Sequence, residues 1–252
     1  MSPNDEAEDR RIPEGPSTAD STPIEQWPAR SFLGRLSTPV CRELLRLGTR
    51  CRYLPQETII REGDESQHTV LLRSGITKVT AALENGHESL LAIRVGGDVV
   101  GELAAMDDAP RSATVTACGP IAASVVRRSE LRQFLGDHPE AAILIAGVVA
   151  QKLRWANRRR IEFGGYPVKV RLARVLAELA AEHGIPEPRG VVIGVTLTQP
   201  ELAALVGSAE VTIHKALREL REERLLTTGY RRTTVLDPAR LRALAQLPPD
   251  GR

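Results

Sequence analysis

The segment from 101 to 117, GELAAMDDAPRSATVTA, places one carboxylate nine residues before an arginine and a serine. The guanidinium of Arg111 can hold an anionic oxygen through charge-assisted hydrogen bonds, and the Ser112 hydroxyl can add another. When Glu102 is ionised, its carboxylate accepts hydrogen bonds but cannot donate them. Gly101, just before it, has no side chain and lets a ligand come close to the backbone. Two interpretations follow: a site for a small anionic ligand, or a Glu102–Arg111 salt bridge inside an empty pocket.

Short apolar runs separated by Gly, Asn or Asp surround this segment, from about 48 to 128. Runs of four to eight residues with such turns predict an antiparallel barrel or sandwich, and Asn85-Gly86 predicts one of its hairpins. A short helix is expected just before the strands, within SFLGRLSTPVCRELLRLGTR. Residues 1–28 are rich in Pro, Ser, Thr and acids and predict a disordered tail.

The chain turns helical beyond the strands. Ser129 begins a short helix, and His138-Pro139-Glu140 opens a long one that runs to about Ile161 and stops at a hinge, 164–167. The spacing of five apolar residues in this helix fits either a face packed on the barrel or the seam of a coiled-coil homodimer. These residues are Ala142, Ala146, Val149, Leu153 and Ala156.

The segment TLTQPELAALVGSAEVTIHKALRELREERLL, from 196 to 226, has the pattern of a helix-turn-helix. Thr198 and Glu201 form a capping-box pair, Gly207 stops the first helix, and a second helix follows. LLTTGYRRTTVLD then predicts a two-stranded wing with Tyr230, Arg231 and Arg232 at its tip. The alternative is an ordinary helical hairpin with solvated charges. The residues predicted to contact DNA are Thr198, Gln199, Ser208, Ala209, Glu210, Val211, Thr212, His214, Lys215, Arg218 and Arg231.

Composition narrows the function further. The net charge is +2, but residues 1–30 contain seven acidic residues and only three arginines. The rest of the chain is therefore basic, which suits a polyanionic partner. Five scattered histidines and three cysteines show no catalytic or metal-ligand spacing, so neither an enzyme nor an iron–sulfur regulator is expected. The longest apolar run, 141–150, is too short to cross a bilayer. A soluble, cytoplasmic, nucleoid-associated protein without a membrane partner is expected.

A β-roll, a long helix, a hinge and a winged helix-turn-helix in this order resemble the cyclic-AMP receptor protein / FNR family of transcription regulators, over about 31–240. The resemblance implies an α+β fold: a jelly-roll-type β-roll over 29–136, a dimerisation helix over 137–163, and a DNA-binding domain over 168–245 before a short tail. It also implies a homodimer that binds a palindromic double-stranded operator and contacts RNA polymerase.

In that family a "GEL…RSA" cassette holds the ribose-phosphate of a cyclic nucleotide, with cyclic AMP the first expectation here. The resemblance assigns the ribose 2′-hydroxyl to Glu102 and the phosphate to Arg111 and Ser112, while Asn157 would meet the base. The complete predicted ligand set is Gly101, Glu102, Leu103, Ala104, Arg111, Ser112, Ala113 and Asn157.

Two departures from the family pattern leave a ligand-independent regulator with a vestigial or altered pocket as the alternative, and a third concerns the recognition helix. Ala156-Asn157 stands where the family has Thr-Ser or Thr-Asn, and Pro167 stands where it usually has Asp. The recognition helix starts Ala209-Glu210-Val211-Thr212 in place of Ser-Arg-Glu-Thr, so it lacks the arginine that reads guanine. Glu210 could accept from cytosine, Val211 could meet a thymine methyl and Thr212 could hold phosphate, which predicts a different operator.

Overall fold

A computed structural model of the chain describes residues 27–84, 86, 88–229 and 232–248. The predictions for the tail before residue 27, for Asn85 in the hairpin, for Tyr230 and Arg231 in the wing and for the last four residues lie outside this range. The chain divides into two compact units, one holding the described residues up to 88 together with 92–152, the other holding 89–91 and 153–248. The domain limits and the hinge at 164–167 stay predictions. The main segment of the second unit begins at Leu153, before that hinge.

The first unit contains two four-stranded sheets with strand orders β1-β8-β3-β6 and β2-β7-β4-β5, except that residues 89–91 of β5 are assigned to the second unit. The pairs β1–β8, β3–β8, β3–β6, β2–β7 and β4–β7 are antiparallel, which confirms the predicted β-roll. The elements are α1 Phe32–Arg35, α2 Thr38–Leu47, β1 Thr49–Tyr53, β2 Thr58–Ile60, β3 Thr69–Ser74, β4 Ile76–Ala82, β5 Glu88–Val95, β6 Val99–Val100, α3 Glu102–Asp107, β7 Thr114–Ala117, β8 Ile121–Val126 and α4 Arg128–Asp137.

Two points of this unit differ from the sequence-based expectation. The single short helix expected before the strands is two helices, because Leu36 and Ser37 are extended and Pro39 occupies the first turn of α2. The short helix α3 was not expected, since Gly101 precedes it in a left-handed conformation and no side chain caps it. It is this helix that begins with Glu102.

Two clusters of buried apolar side chains form the core of the first unit. One fills the space between the sheets and includes Val70, Leu72 and Ala117. The other joins the helices to the roll and is built around Phe32, Leu44, Leu71, Phe134 and Ile145. The sheets and helices that carry the ligand cassette are therefore held by continuous apolar packing.

The long helix α5 covers Pro139–Gly165, four residues beyond the predicted end. It buries Ala141 and Ile145 against the helical cluster of the first unit. The predicted seam lies elsewhere on the helix: Ala142 and Val149 are half-buried, whereas Ala146, Leu153 and Ala156 are exposed. The face packed on the roll is therefore a different one from the predicted seam.

The second unit is a helical layer with a four-stranded sheet of order β11-β12-β10-β9. The pairing of β11 with β12 is the predicted wing. Its elements are α6 Val168–His183, β9 Gly184–Glu187, β10 Gly190–Ile193, α7 Gln199–Val206, α8 Glu210–Glu222, β11 Leu226–Gly229, β12 Arg232–Val235 and α9 Pro238–Leu244.

A buried ion-pair network joins the end of α5 to α6 inside the second unit. The two oxygens of Glu162 accept from Arg159 at 3.0 Å and from Arg174 at 2.9 Å. Arg159 also donates to Glu178 at 2.6 Å, and its guanidinium lies 5.0 Å from the centre of the Trp155 ring. Burial raises the pKa of Glu178, although the Arg159 charge opposes the shift. This network ties the last turns of α5 to the body of the second unit.

Arg171 makes a second connection at the same helix end. It donates to the carbonyl of Phe163 at 2.7 Å and to the carbonyl of Gly207 at 3.2 Å. The Phe163 ring lies against Gly207 so closely that a Cβ there would come within 2.5 Å of it. The end of α5 therefore packs directly on the turn between α7 and α8.

Candidate ligand site and nucleic-acid interface

Arg111 is a buried cation whose direction is fixed by three hydrogen bonds. Its Nη1 donates to the carbonyl of Gly101 at 2.8 Å, Nη2 to the carbonyl of His68 at 2.6 Å, and Nε to Ser66 Oγ at 3.2 Å. Only 3% of the residue is exposed, and this desolvation lowers the pKa of Arg111 below its usual range. A guanidinium has five N–H groups, so two have no partner among the described residues. Three of the five donors are therefore used within the protein.

Gly101 sits where only a glycine fits. Its φ is +78°, and a Cβ would lie 2.6 Å from Arg111 Nη1 and 2.8 Å from Ile60 Cδ1. Both the left-handed backbone and the close approach of the guanidinium therefore require a residue without a side chain at this position. The group that comes close to Gly101 in the structure is the guanidinium of Arg111.

Backbone hydrogen bonds to the loop between β2 and β3, and contacts of Asp108 after α3, hold the segment that carries Arg111. Its N–H donates to the carbonyl of Asp64, and its carbonyl accepts from Gly63, both at 2.9 Å. Asp108, which has a φ of +61° just after α3, pairs with Arg128 and accepts from Gln67 at 3.2 Å. The hydrogen bond from Arg128 is the main reason that the pKa of Asp108 is lowered. The connection from α3 to Arg111 is thus anchored at both ends.

Glu102 is buried and pairs with a residue that sequence analysis missed. Its Oε1 accepts from Lys152 Nζ at 2.8 Å, and the same ammonium donates to the carbonyl of Val99 at 3.0 Å. Glu102 and Arg111 form no ion pair within 4.0 Å, so the predicted alternative of a Glu102–Arg111 salt bridge is wrong. Burial lowers the pKa of Lys152, and the neighbouring Glu102 charge opposes that shift. The only lysine in the apolar stretch 141–153 was the available signal.

The other predicted ligand residues occupy different environments. Ala104 is buried, Leu103 is 39% exposed, Ala113 is half-buried and Ser112 is exposed. The structure therefore brings Gly101, Glu102 and Arg111 together. Asn157 belongs to the second unit, where its side chain is exposed. No group of three or more His, Cys, Asp or Glu side chains in the described part of the chain could hold a metal ion.

The helix-turn-helix has the local structure that its sequence predicted. Thr198 Oγ1 accepts from the Glu201 N–H at 3.3 Å, and the Glu201 carboxylate accepts from the Thr198 N–H at 2.7 Å. Gly207 ends α7 in a left-handed conformation, φ +66°, and Ala209 precedes α8. Gln199 and Ser208 of the predicted contact set are half-buried.

The outward face of α8 carries the remaining described residues predicted to contact DNA. Ile213, Leu217 and Leu220 are buried in the second unit, so the helix exposes the opposite side. Arg221 is held by Thr228 of the wing at 2.9 Å. The exposed residues are Glu210, Val211, Thr212, His214, Lys215 and Arg218, together with Ala209 just before the helix.

None of the described helices is long and apolar enough to span a membrane. A ligand cassette on a β-roll, together with a winged helix-turn-helix, defines a DNA-binding regulator with a small-molecule domain. Comparison with known families agrees with this class: the model of the "Cyclic nucleotide-binding domain" matches residues 50–138, and that of the "Crp-like helix-turn-helix domain" matches 170–244. The chain belongs to the cyclic-AMP receptor protein / FNR family of transcription regulators, whose members are not enzymes.

Relatives and solved structures extend the likeness over most of the chain. It is 29% identical over 184 residues to the "CRP-like cAMP-activated global transcriptional regulator" of Mycobacterium tuberculosis, covering 73% of this chain and 82% of the relative. It is 26% identical to the "Global nitrogen regulator" of Synechococcus elongatus, covering 73% and 84%. A CRP-family regulator from Thermus thermophilus has a TM-score of 0.66 at 28% identity, covering 77% and 96%. The c-di-GMP responsive regulator CLP of Xanthomonas campestris shares the fold, with a TM-score of 0.70 at 20% identity over 80% and 100%.

Proposed function

We propose that this regulator is a homodimer whose binding to a palindromic DNA site is controlled by a cyclic mononucleotide, with cyclic AMP as the first candidate. The observation that carries the proposal is Arg111: a buried, pre-oriented guanidinium with two N–H donors left over. A cyclic phosphate is an anion that such a guanidinium binds without first being ordered. RNA polymerase, the partner expected from the resemblance, belongs to the same proposal.

The Glu102–Lys152 pair defines the other end of the proposed site. An ionised carboxylate has several acceptor positions, so Glu102 can hold both the Lys152 ammonium and a ribose 2′-hydroxyl. The exposed Ser112 hydroxyl adds a donor beside Arg111, whereas the role of Asn157 toward the base stays a prediction from the resemblance. The cAMP-activated mycobacterial relative supports cyclic AMP, whereas the c-di-GMP responsive regulator of Xanthomonas is the reason to test c-di-GMP as well.

Isothermal titration with cyclic AMP, cyclic GMP and c-di-GMP tests the ligand. Cyclic AMP should bind the wild-type protein, and Arg111→Ala should weaken it by about 10- to 100-fold, because a hydrogen bond to a charged group contributes about 1.5–3 kcal/mol. Arg50→Ala is the matched control, since Arg50 is an exposed arginine on β1 of the same unit. Circular dichroism of each variant checks that the roll remains folded, and Arg111→Lys retains the charge without the fork.

Equal cyclic AMP affinity in wild type and Arg111→Ala would remove Arg111 from the phosphate site. A second candidate function, ligand-independent DNA binding, has one observation in its favour: Lys152 already neutralises Glu102. Footprinting with and without each nucleotide distinguishes the two candidates. A footprint that none of the nucleotides changes would favour the ligand-independent regulator.

A further inference from the structure

Val211 is the most exposed large apolar side chain of the described chain, with 81% of its surface accessible. Single exposed apolar residues are common on protein surfaces and need no function. The position of this one is unusual, because it lies in the first turn of α8, between Glu210 and Thr212. Valine is also a poor choice for an exposed helix position on propensity alone. Stability therefore gives no reason for a valine here.

The helix geometry places Val211 on the face directed away from the protein. Lys215 and Arg218 follow it by four and seven residues, which puts all three on one side of α8. The opposite side carries the buried Ile213 and Leu217. In a helix-turn-helix, the N-terminal residues of the second helix are those that reach base edges in the major groove.

Only one apolar group is offered to such a residue in the major groove. The base edges there present hydrogen-bond donors and acceptors, and the apolar group among them is the C5-methyl group of thymine. Because valine has a stiff χ1 angle, it can cover that methyl group at a small cost in side-chain entropy. We infer that Val211 is a specificity residue that selects thymine at one position of each DNA half-site. This inference depends on the proposed function only in that α8 enters the major groove.

The rest of the first turn gives this contact particular weight. Residues 209–212 contain no Arg, Lys, Asn or Gln, so none of them can make a bidentate contact to guanine or adenine. Glu210 can only accept, from a cytosine or adenine amino group, and it disfavours the acceptor-rich edge of guanine. Lys215 is the first lysine or arginine along the helix, and it makes no hydrogen bond or ion pair with the residues that the structure describes. Selection at the start of α8 therefore depends on shape and methyl contact more than on cationic hydrogen bonding.

Replacing thymine by deoxyuridine tests the inference, because the two bases differ only by the C5-methyl group. The full chain, with cyclic AMP present, is first used to enrich binding sequences from a random double-stranded pool. Each dT of the enriched site is then replaced singly by dU, symmetrically in both half-sites, and Kd is measured at fixed salt. We expect one dT per half-site at which dU weakens binding about three- to tenfold, as the loss of a buried methyl group predicts.

Val211→Ala should bind the dT and dU sites equally, which assigns the methyl contact to this residue. Arg218→Ala is the control: it should weaken both sites by the same factor and retain the dT preference. Both side chains are exposed, so neither substitution should lower the thermal midpoint by much, and Val211→Ala should raise it slightly because alanine has the higher helix propensity. Enrichment of a site at which dU has no effect, or at which Val211→Ala keeps the dU penalty, would overturn the inference and leave the proposed function intact. If no sequence is enriched, the proposed function fails, and this inference fails with it.

Discussion

At the scale of single residues, the candidate site is defined by a buried cation whose position the protein itself fixes. The Gly101 and His68 carbonyls and the Ser66 hydroxyl orient Arg111, and the left-handed Gly101 provides the space for it. Gly101 matters for the arginine's position as much as for its own backbone. The consequence can be tested by adding a single methyl group.

Gly101→Ala should lower the free energy of unfolding by about 1–3 kcal/mol, the cost of a non-glycine residue held in a strained conformation. It should also weaken cyclic AMP binding, because the new Cβ would displace the Arg111 guanidinium or Ile60. Urea denaturation and titration calorimetry measure the two effects. Gly119→Ala is the control, since a Cβ at Gly119 has no atom within 4 Å. Equal effects of the two substitutions would contradict this account.

Residue contacts show where sequence reasoning stops. The cassette residues could be found because their types stand close together in the chain. Lys152 was missed because it meets Glu102 across 50 residues, and an isolated lysine is usually solvated. In the buried network, Arg159 and Glu162 are a local pair at i and i+3 of α5, whereas Arg174 and Glu178 come from α6. The network was missed because tertiary packing adds the α6 partners, and the sequence around α5 shows only a charged helix end.

At the scale of elements, buried charge joins helices that apolar packing alone would leave less specifically placed. The side chains of Arg159, Glu162 and Arg174 are 8%, 3% and 9% exposed. In such an environment, loss of one partner leaves the others as uncompensated buried charges. The junction of α5 and α6 should therefore be sensitive to a change of one carboxylate.

Glu162→Gln should destabilise the second unit by about 3–5 kcal/mol, because the buried Arg174 would lose its carboxylate partner while Arg159 would keep only Glu178. Glu222→Gln is the matched control: its partner Arg218 is 3.8 Å away and both side chains are about two-thirds exposed. The control should change stability by less than about 1 kcal/mol. Guanidinium denaturation followed by circular dichroism measures both variants. Similar midpoints would show that the buried network is not stabilising.

A second junction, between α2 and the start of α5, should respond to pH. His138 Nε2 lies 3.0 Å from Glu43 and Nδ1 lies 3.6 Å from Glu140. The hydrogen bond to Glu43, more than the other contacts, raises the pKa of His138 above its usual 6.5. The group therefore stabilises the fold fully below pH 6.5, and this contribution is lost as the pH rises through the raised value.

The urea midpoint of wild type should accordingly fall as the pH increases above 6.5. In His138→Gln and in Glu43→Gln the same pH series should show a smaller fall. An unchanged slope in both variants would exclude this ion pair as the source.

The elements themselves followed well from the sequence where the signal was local. The capping box at Thr198, the Gly207 stop and the alternating strands of the roll depend on residues within a few positions of one another. The α1–α2 break and α3 did not follow, because elements of four and six residues carry too little periodicity to be separated from loops. Local rules thus predicted the architecture, and tertiary contacts determined the details.

At the scale of the whole molecule, α5 has apolar side chains that the other described residues leave exposed. Ile143, Leu153 and Ile161 are 73%, 61% and 72% exposed. A second copy of the same helix is the partner that the proposed function supplies. Of the seam predicted from the sequence, Ala146, Leu153 and Ala156 are exposed, and Leu153 is common to both sets.

Leu153→Glu should shift the protein from dimer toward monomer, since two carboxylates would be placed in an apolar interface. Light scattering after size exclusion at micromolar concentration should give twice the chain mass of 27.5 kDa for wild type and a lower value for the variant. Leu54→Glu changes a leucine outside α5 that is even more exposed, at 72%, and should remain dimeric. A wild-type protein that is monomeric at these concentrations would remove the dimer from the proposal.

The position of Trp155 beside Arg159 has a practical consequence for spectroscopy. The chain contains two tryptophans, and the other, Trp27, lies in the first unit with its indole N–H donating to the Arg73 carbonyl. After Trp27→Phe, all tryptophan emission comes from a fluorophore stacked on a member of the buried ion-pair network. Any event that opens the network, whether nucleotide, operator or denaturant causes it, can then be followed in real time without an attached dye.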